Sequence, residues 1–212
     1  MMKAYVRGVV AAAAVLAASS AFAGANLIQD GDFSSPNAGG GVAYEPSGFM
    51  GWTTNDPGGV LEIGYSPIYG LPCANAACQS QEVNANAFDT VSYSVSGLTV
   101  GATYDLSWDY GPRAGDGYQA LDVYFGGVHL TTDAGSVPAW IANNFAVTAT
   151  STAETLVFSS QATGLCDSCG NEITNVSLAA PEPATWAMMA LGFAALGFAG
   201  VRRARSAVAL SL

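Results

Sequence analysis

The chain has 212 residues, of which 16 are Asp or Glu and 6 are Lys or Arg, giving a formal net charge of −10 at pH 7. Lys3, Arg7, Arg202, Arg203 and Arg205 sit at the two ends, so Arg113 is the single cation in the stretch from Asp30 to Glu182 that holds every acidic residue. Such a body excludes nucleic-acid binding, which neutralises phosphates with clustered Lys and Arg, and its acidity suits a soluble extracellular domain.

In chain order, Lys3 and Arg7 precede a short apolar run over 9–18 and then Ala21-Phe22-Ala23. A charged start, a short hydrophobic run and an A-x-A site predict a secretory signal peptide over 1–23, cut after Ala23. The body that follows, 24–180, is about 155 residues and large enough for one domain with its own core.

No sustained helical period appears in the body. Tyr104, Leu106, Trp108 and Tyr110 alternate with polar residues, as do Leu121, Val123 and Phe125, and Val91, Tyr93 and Val95. Alternation of this kind predicts half-buried strands. Further strands are expected over 26–29, 60–64, 128–131, 144–150, 155–160 and 173–178, separated by turns such as Asp56-Pro57-Gly58-Gly59 and Gly126-Gly127. Eight or more short strands at this spacing predict an all-β fold, an antiparallel two-sheet sandwich.

The four cysteines come as Cys73 and Cys78, and as Cys166 and Cys169. In an oxidising compartment an even count predicts disulfides, and local pairing within each loop is favoured among the three connectivities. A redox Cys-x-x-Cys and a four-cysteine zinc site are the alternatives. Arg113 lies in a Gly-rich loop flanked by Tyr110 and Tyr118. It is expected either to pair with Asp109 or Asp116, or to contact a ligand with those tyrosines, since Arg and exposed aromatics suit sugar rings and their hydroxyls. Tyr65, Tyr69 and Trp140 either line a shallow groove or fill the sandwich.

The chain closes on Pro181-Glu182-Pro183-Ala184-Thr185-Trp186-Ala187, an apolar stretch over 184–201, and Arg202, Arg203 and Arg205. The prolines keep the motif extended. As a helix the apolar stretch would measure about 27 Å, close to the roughly 30 Å hydrocarbon core, so a transmembrane helix is expected over 184–201 with the arginines on the cytoplasmic side. The arrangement over 181–212 resembles the PEP-CTERM sorting signal of Gram-negative bacteria, in its PEP-x-x-W-A variant. Pro181, Glu182, Pro183 and Trp186 carry the likeness, together with Arg202, Arg203 and Arg205. The resemblance implies an exosortase as partner, transient anchoring in the inner membrane, and cleavage near 181–184. The body then reaches the cell surface or the exopolysaccharide matrix.

Within the body, four pieces resemble exported galactose-binding-like jelly-roll domains. They are Asn26-Leu27-Ile28-Gln29-Asp30-Gly31-Asp32-Phe33, Gly51-Trp52-Thr53, Gly97-Leu98-Thr99-Val100-Gly101-Ala102-Thr103-Tyr104 and Asn175-Val176-Ser177-Leu178. The likeness implies a jelly roll and, in many members, a structural calcium held by oxygen ligands. Ser34 and Thr174 stand where that pattern carries carboxylates, so Asp30, Asp32 and Glu172 are the candidate ligands; no other cofactor is expected.

The resulting expectation is an exported, non-catalytic surface or matrix protein whose sandwich binds extracellular polysaccharide. One alternative is a structural biofilm protein with no small ligand. A second is a glycosidase-like enzyme using paired carboxylates such as Asp105 with Asp109, or Asp116 with Asp122.

Overall fold

The computed structural model describes residues 25–84, 89–163, 170–180 and 191–194. The signal-peptide segment, Cys166, Cys169 and the Pro-Glu-Pro motif lie outside the described residues, as does the expected membrane helix apart from helical residues 191–194. Among the described residues no helix is long and apolar enough to cross a membrane. The chain divides into two compact units, Gly24–Pro183 and a second formed by Met1–Ala23 and Ala184–Leu212.

The unit Gly24–Pro183 is built from strands. They are β1 (Val42–Pro46), β2 (Trp52–Thr54), β3 (Val60–Tyr65), β4 (Gln79–Asn84), β5 (Thr90–Ser96), β6 (Thr103–Pro112), β7 (Gln119–Phe125), β8 (Val128–Gly135), β9 (Ile141–Thr148), β10 (Ala153–Ser160) and β11 (Gly170–Ala179), with short 3-10 turns at Phe49–Gly51 and Ser66–Tyr69. One sheet has the order β1-β3-β4-β11-β6-β9 and the other β2-β5-β10-β7-β8. From β4 onward the chain passes back and forth between the sheets, only β7 and β8 following one another in the same sheet. This puts β4-β11-β6-β9 opposite β5-β10-β7-β8, the double Greek key of a jelly roll.

The inward residues of both sheets form one core. Leu106, Trp108 and Tyr110 of β6 meet Leu121 and Val123 of β7, Leu156 and Phe158 of β10, and Ile173 and Leu178 of β11. Trp52 links the opening segment to this core, with ring centroids 4.9 Å from Phe33 and 5.1 Å from Tyr93. Burying each large side chain contributes roughly 1.5–3 kcal/mol. The unit therefore closes its own core, the property of a domain that folds alone.

The segment expected as a strand over 26–29 makes a single bridge, Asn26 to Ala179, and then turns under the sandwich. Gly31 is required there because a Cβ would fall on the Val176 carbonyl, while the Val176 N–H donates to the Gly31 carbonyl at 2.8 Å. β1, β2 and β4 go beyond the elements predicted from alternation. β4 reads Gln-Ser-Gln-Glu-Val-Asn, yet Gln79, Ser80, Gln81 and Glu82 are all buried. It is held as a strand by its neighbours, β3 on one side and β11 on the other.

Candidate ligand cleft and its buried carboxylate row

Residue alternation in β3, β4 and β11 sends Leu61, Ile63, Val83 and Ile173 into the core and turns the intervening residues to the outer face of the six-stranded sheet. The register places Tyr44 opposite Glu62, Glu82 opposite Glu172, and Glu172 opposite Gly111. Ile63 pairs with Gln81, so one residue further Glu62 stands across from Glu82. Three glutamates thus form one row across adjacent strands.

Their partners are specific. The Tyr69 hydroxyl donates to Glu62 Oε1 at 2.9 Å, Ser80 Oγ donates to Glu172 Oε2 at 2.7 Å, and Arg113 Nη1 lies 3.1 Å from Glu82 Oε2. Arg113 Nε is also 3.5 Å from Asp116 Oδ2, and its guanidinium carbon stands 4.8 Å from the centroid of the Tyr69 ring. Glu82 Oε1 and Glu172 Oε1 are buried with no hydrogen-bond partner. Burial, and next the charge of Glu172, push the Glu82 carboxyl up to about 10; Arg113 pulls the other way. Burial likewise raises Glu172 well above the ordinary carboxylate range. Two facing carboxyls in so dry a place retain a proton between them through neutral pH.

The Glu172 end of the row, beside Gly111, is covered by the segment after β3. A Cβ on Gly111 would meet Leu71 and Trp140, and Trp140 Nε1 donates to the Pro72 carbonyl at 2.6 Å. The cover is tied by the Cys73–Cys78 disulfide and by Asn75, whose amide donates to the Asp32 carbonyl at 3.1 Å and to Thr174 Oγ1 at 2.8 Å. A short disulfide loop of this size removes about 2 kcal/mol of chain entropy from the unfolded state.

Beyond the cover, the row opens into a cleft of about 130 Å³ whose lining includes Tyr44, Thr54, Asp56, Glu62, Asn84 and Thr90. Tyr44 stands on its rim with 66% of its surface exposed. The charge of Glu62 beside it, and next its partial burial, hold the Tyr44 phenol above its usual range. An open aromatic face next to carboxylates, an amide and hydroxyls can stack on one side of a flat, hydroxyl-rich ligand and accept its hydrogen bonds.

The residues expected to bind ligand do not share one exposed face: Arg113 lies over the buried Tyr69, and Tyr110 is turned into the core. Tyr110 is a core residue and not a surface one. It is fully buried because β6 turns it inward, and its hydroxyl donates to Asn171 Oδ1 at 3.0 Å. Tyr69 is buried beneath Arg113, Tyr65 is half-buried at the end of β3, and Tyr118 is 60% exposed in the 113–119 loop. That loop is clasped by Gln119, which donates to the Arg113 carbonyl at 2.8 Å and accepts from its N–H at 2.9 Å. Arg113 pairs with Asp116 as anticipated, whereas Asp109 instead accepts from Asn175 Nδ2 at 2.7 Å. Its nearest carboxylate, Glu82, was hidden in a strand without apolar alternation. Tyr44 was likewise missed, in a short strand with no periodicity to find it by.

The candidate calcium ligands are not gathered in one place. Asp30 Oδ1 accepts from Ser34 Oγ and the Ser35 N–H, both at 3.1 Å, and Asp32 Oδ1 from the Ser34 N–H at 3.3 Å. Glu172 belongs to the row above, four residues along β11 from the Val176 that meets Gly31. Among the described residues no group of three or more His, Cys, Asp or Glu is arranged to hold a metal ion. Asp116 sits on Arg113 and Asp122 on Thr132, Gln161 and His129, each carboxylate with partners of its own.

The curated protein Halomucin of Haloquadratum walsbyi is 31% identical over 186 residues, covering 80% of this chain. The chain spans only 2% of that relative's length. Among solved structures, the fold is similar to the CBM22-1 xylan-binding domain from Paenibacillus barcinonensis Xyn10C, with TM-score 0.48, 13% identity, and coverage of 76% of this chain and 98% of that one. It is also similar to the CBM22-1-GH10 modules of a Clostridium thermocellum xylanase, with TM-score 0.46, 14% identity, and coverage of 61% and 26%. The family model described as the PEP-CTERM protein-sorting motif matches residues 179–203. The C-terminal segment that begins at the end of β11 is therefore a PEP-CTERM protein-sorting motif.

Proposed function

We propose that this is an exported, exosortase-processed surface or matrix protein whose jelly roll binds a neutral glycan, without catalysis, in the cleft beneath Tyr44. The observation that carries this reading is Tyr44 itself, exposed on the rim of a cleft where carboxyl, hydroxyl and amide groups stand among Val60, Val83 and Val91. A large exposed aromatic at a concave polar site supplies a stacking face at little cost in conformational entropy. Asp56 and Glu62 accept hydrogen bonds from sugar hydroxyls, and their charge repels uronates and sulfated chains.

Titration of the 24–183 unit against a panel of neutral oligosaccharides tests the cleft. Tyr44→Ala is expected to weaken binding by roughly tenfold or more, equivalent to about 1.4 kcal/mol, while leaving stability within about 0.5 kcal/mol, as for other exposed positions. Tyr44→Phe keeps the ring and should keep most of the affinity. Equal affinity in wild type and Tyr44→Ala would remove the cleft from the site. Processing is read by intact mass: the extracellular form should lack 1–23 and the apolar 184–201 stretch, and its retention would favour a permanent tail anchor.

A further inference from the structure

The two sheets end in four edge strands, β1 and β9 in one and β2 and β8 in the other. An edge strand presents unpaired N–H and C=O groups that will accept another strand. Proteins blunt such edges by shortness, charge, proline or a bulge. Three of these edges are blunted. β1 is five residues long and ends in Glu45-Pro46, and β2 has three residues. The β7–β8 register shifts between Val123 and Tyr124, and β8 turns Asp133 inward to accept from Trp108 Nε1 at 2.7 Å.

β9 has none of these devices. It runs eight residues, Ile-Ala-Asn-Asn-Phe-Ala-Val-Thr, with no charge and no proline. Its register against β6 is unbroken from Thr103 opposite Thr148 to Tyr110 opposite Ile141. Among the described residues no strand pairs with its other side. Ile141 is 44% exposed, and Val137 just before it is 72% exposed.

Charge decides what such an edge takes. The 16 acidic residues of the chain all fall between Asp30 and Glu182, with Arg113 their only cation, so two copies repel over most of their surfaces. The uncharged β9 strip is where a like-charged copy can approach. A basic partner would gain nothing there and would be drawn to the carboxylates elsewhere. We infer that β9 is a self-pairing edge, through which two copies of this chain join antiparallel about a twofold axis and extend the six-stranded sheet across both.

Opposed residues in such a pair must point to the same face. A register centred on Asn144 satisfies this: Asn144 faces its own copy, Asn143 faces Phe145, and Ile141 faces Val147. Phe145 already stacks on Trp108, with centroids 5.4 Å apart, and Val147 is buried, so the core side of one copy continues into that of the other. An isologous contact of this kind closes at two copies. Pairing would also give each assembly two clefts, and simultaneous engagement of one polysaccharide raises avidity by roughly 10²–10⁴.

Sedimentation velocity of the full chain in detergent, repeated on the 24–183 unit, tests the inference. Both should show a concentration-dependent dimer. Asn144→Asp, which places two carboxylates at the twofold axis, should weaken association at least tenfold with an unchanged melting temperature. Ala142→Asp, also on the exposed edge, is the second variant and carries the test if Asn144→Asp melts early. Monomers at every concentration would overturn the inference, and so would a dimer that both substitutions leave intact. Neither result bears on the Tyr44 titration, which uses single-site affinity.

Discussion

Replacing Glu172 with Gln raises the melting temperature of the 24–183 unit at pH 8 and flattens its dependence on pH. Glu172 is fully buried opposite Glu82, and both carboxyls are raised, by burial first. A group whose folded value lies above its unfolded one contributes stability that is complete below the unfolded value, here 4.5, and is lost as pH rises through the folded value. For Glu82 that upper limit is about 10. Wild-type stability should therefore decline from about pH 5 to pH 9. Asp122 and Glu154, which are lowered, act only at more acid pH. The Gln amide keeps an oxygen for the Ser80 hydroxyl, donates to Glu82 and needs no proton. Since ~1 kcal/mol corresponds to about 2–4 °C in a domain of this size, the variant should melt roughly 5 °C or more above wild type at pH 8 and close to it at pH 5. Thermal melts at the two pH values check this. A wild-type melting temperature that climbs between pH 5 and pH 9, or a Gln variant less stable at pH 8, would refute the account of the row.

Arg113→Met should be the most damaging single change on the outer face of the sheet. A pair between two surface groups contributes about 0–1 kcal/mol, but only one partner here is near the surface. The Arg113 side chain is 28% exposed and the Glu82 side chain is not exposed at all. Removing Arg113 leaves the fully buried Glu82 Oε2 without the guanidinium donor it faces, at a cost on the order of 1–3 kcal/mol. Arg113 also lies over Tyr69 and reaches Asp116, so the clasp of the 113–119 loop loosens with it. The loss should be about equal at pH 5 and pH 8, because the Glu82 carboxyl is held up to about 10 and keeps its proton at both. The double variant Arg113→Met with Glu82→Gln should recover most of it, a coupling that a thermodynamic cycle reads directly. Additive losses would mean that Arg113 acts through packing and not through Glu82.

The strands that lie half-buried between core and solvent were legible in the sequence. Trp108 and Tyr110 in β6, Val123 in β7 and Tyr93 in β5 alternate with polar residues, because one face of each strand packs inward while the other stays wet. β4 breaks that rule. Its residues are dry on both faces yet mostly polar, because hydrogen bonds hold them in place of apolar packing: Gln79 donates to the Phe33 and Pro36 carbonyls, Ser80 to Glu172 and Gln81 to the Glu82 carbonyl, so no apolar period marks the strand. The glutamate row was hidden with it, since Glu62, Glu82 and Glu172 come from three strands far apart in the chain and meet only through register. Arg113 was recognisable as exceptional by composition alone, but Glu82 as its partner was not. Tyr110 illustrates the opposite error: its place beside a Gly-rich loop suggested a binding residue, while its phase in β6 already put it on the face of Leu106 and Trp108.

The most direct measurement of the central claim is the amide spectrum of the labelled 24–183 unit during titration with a neutral oligosaccharide that it binds. The cleft account predicts that shifts cluster at Tyr44, Thr54, Glu62, Asn84 and Thr90, with Tyr118 and the β9 edge unmoved at low protein concentration. Shifts centred on Tyr118 and the 113–119 loop, or an unchanged spectrum across the whole panel of neutral glycans, would contradict it.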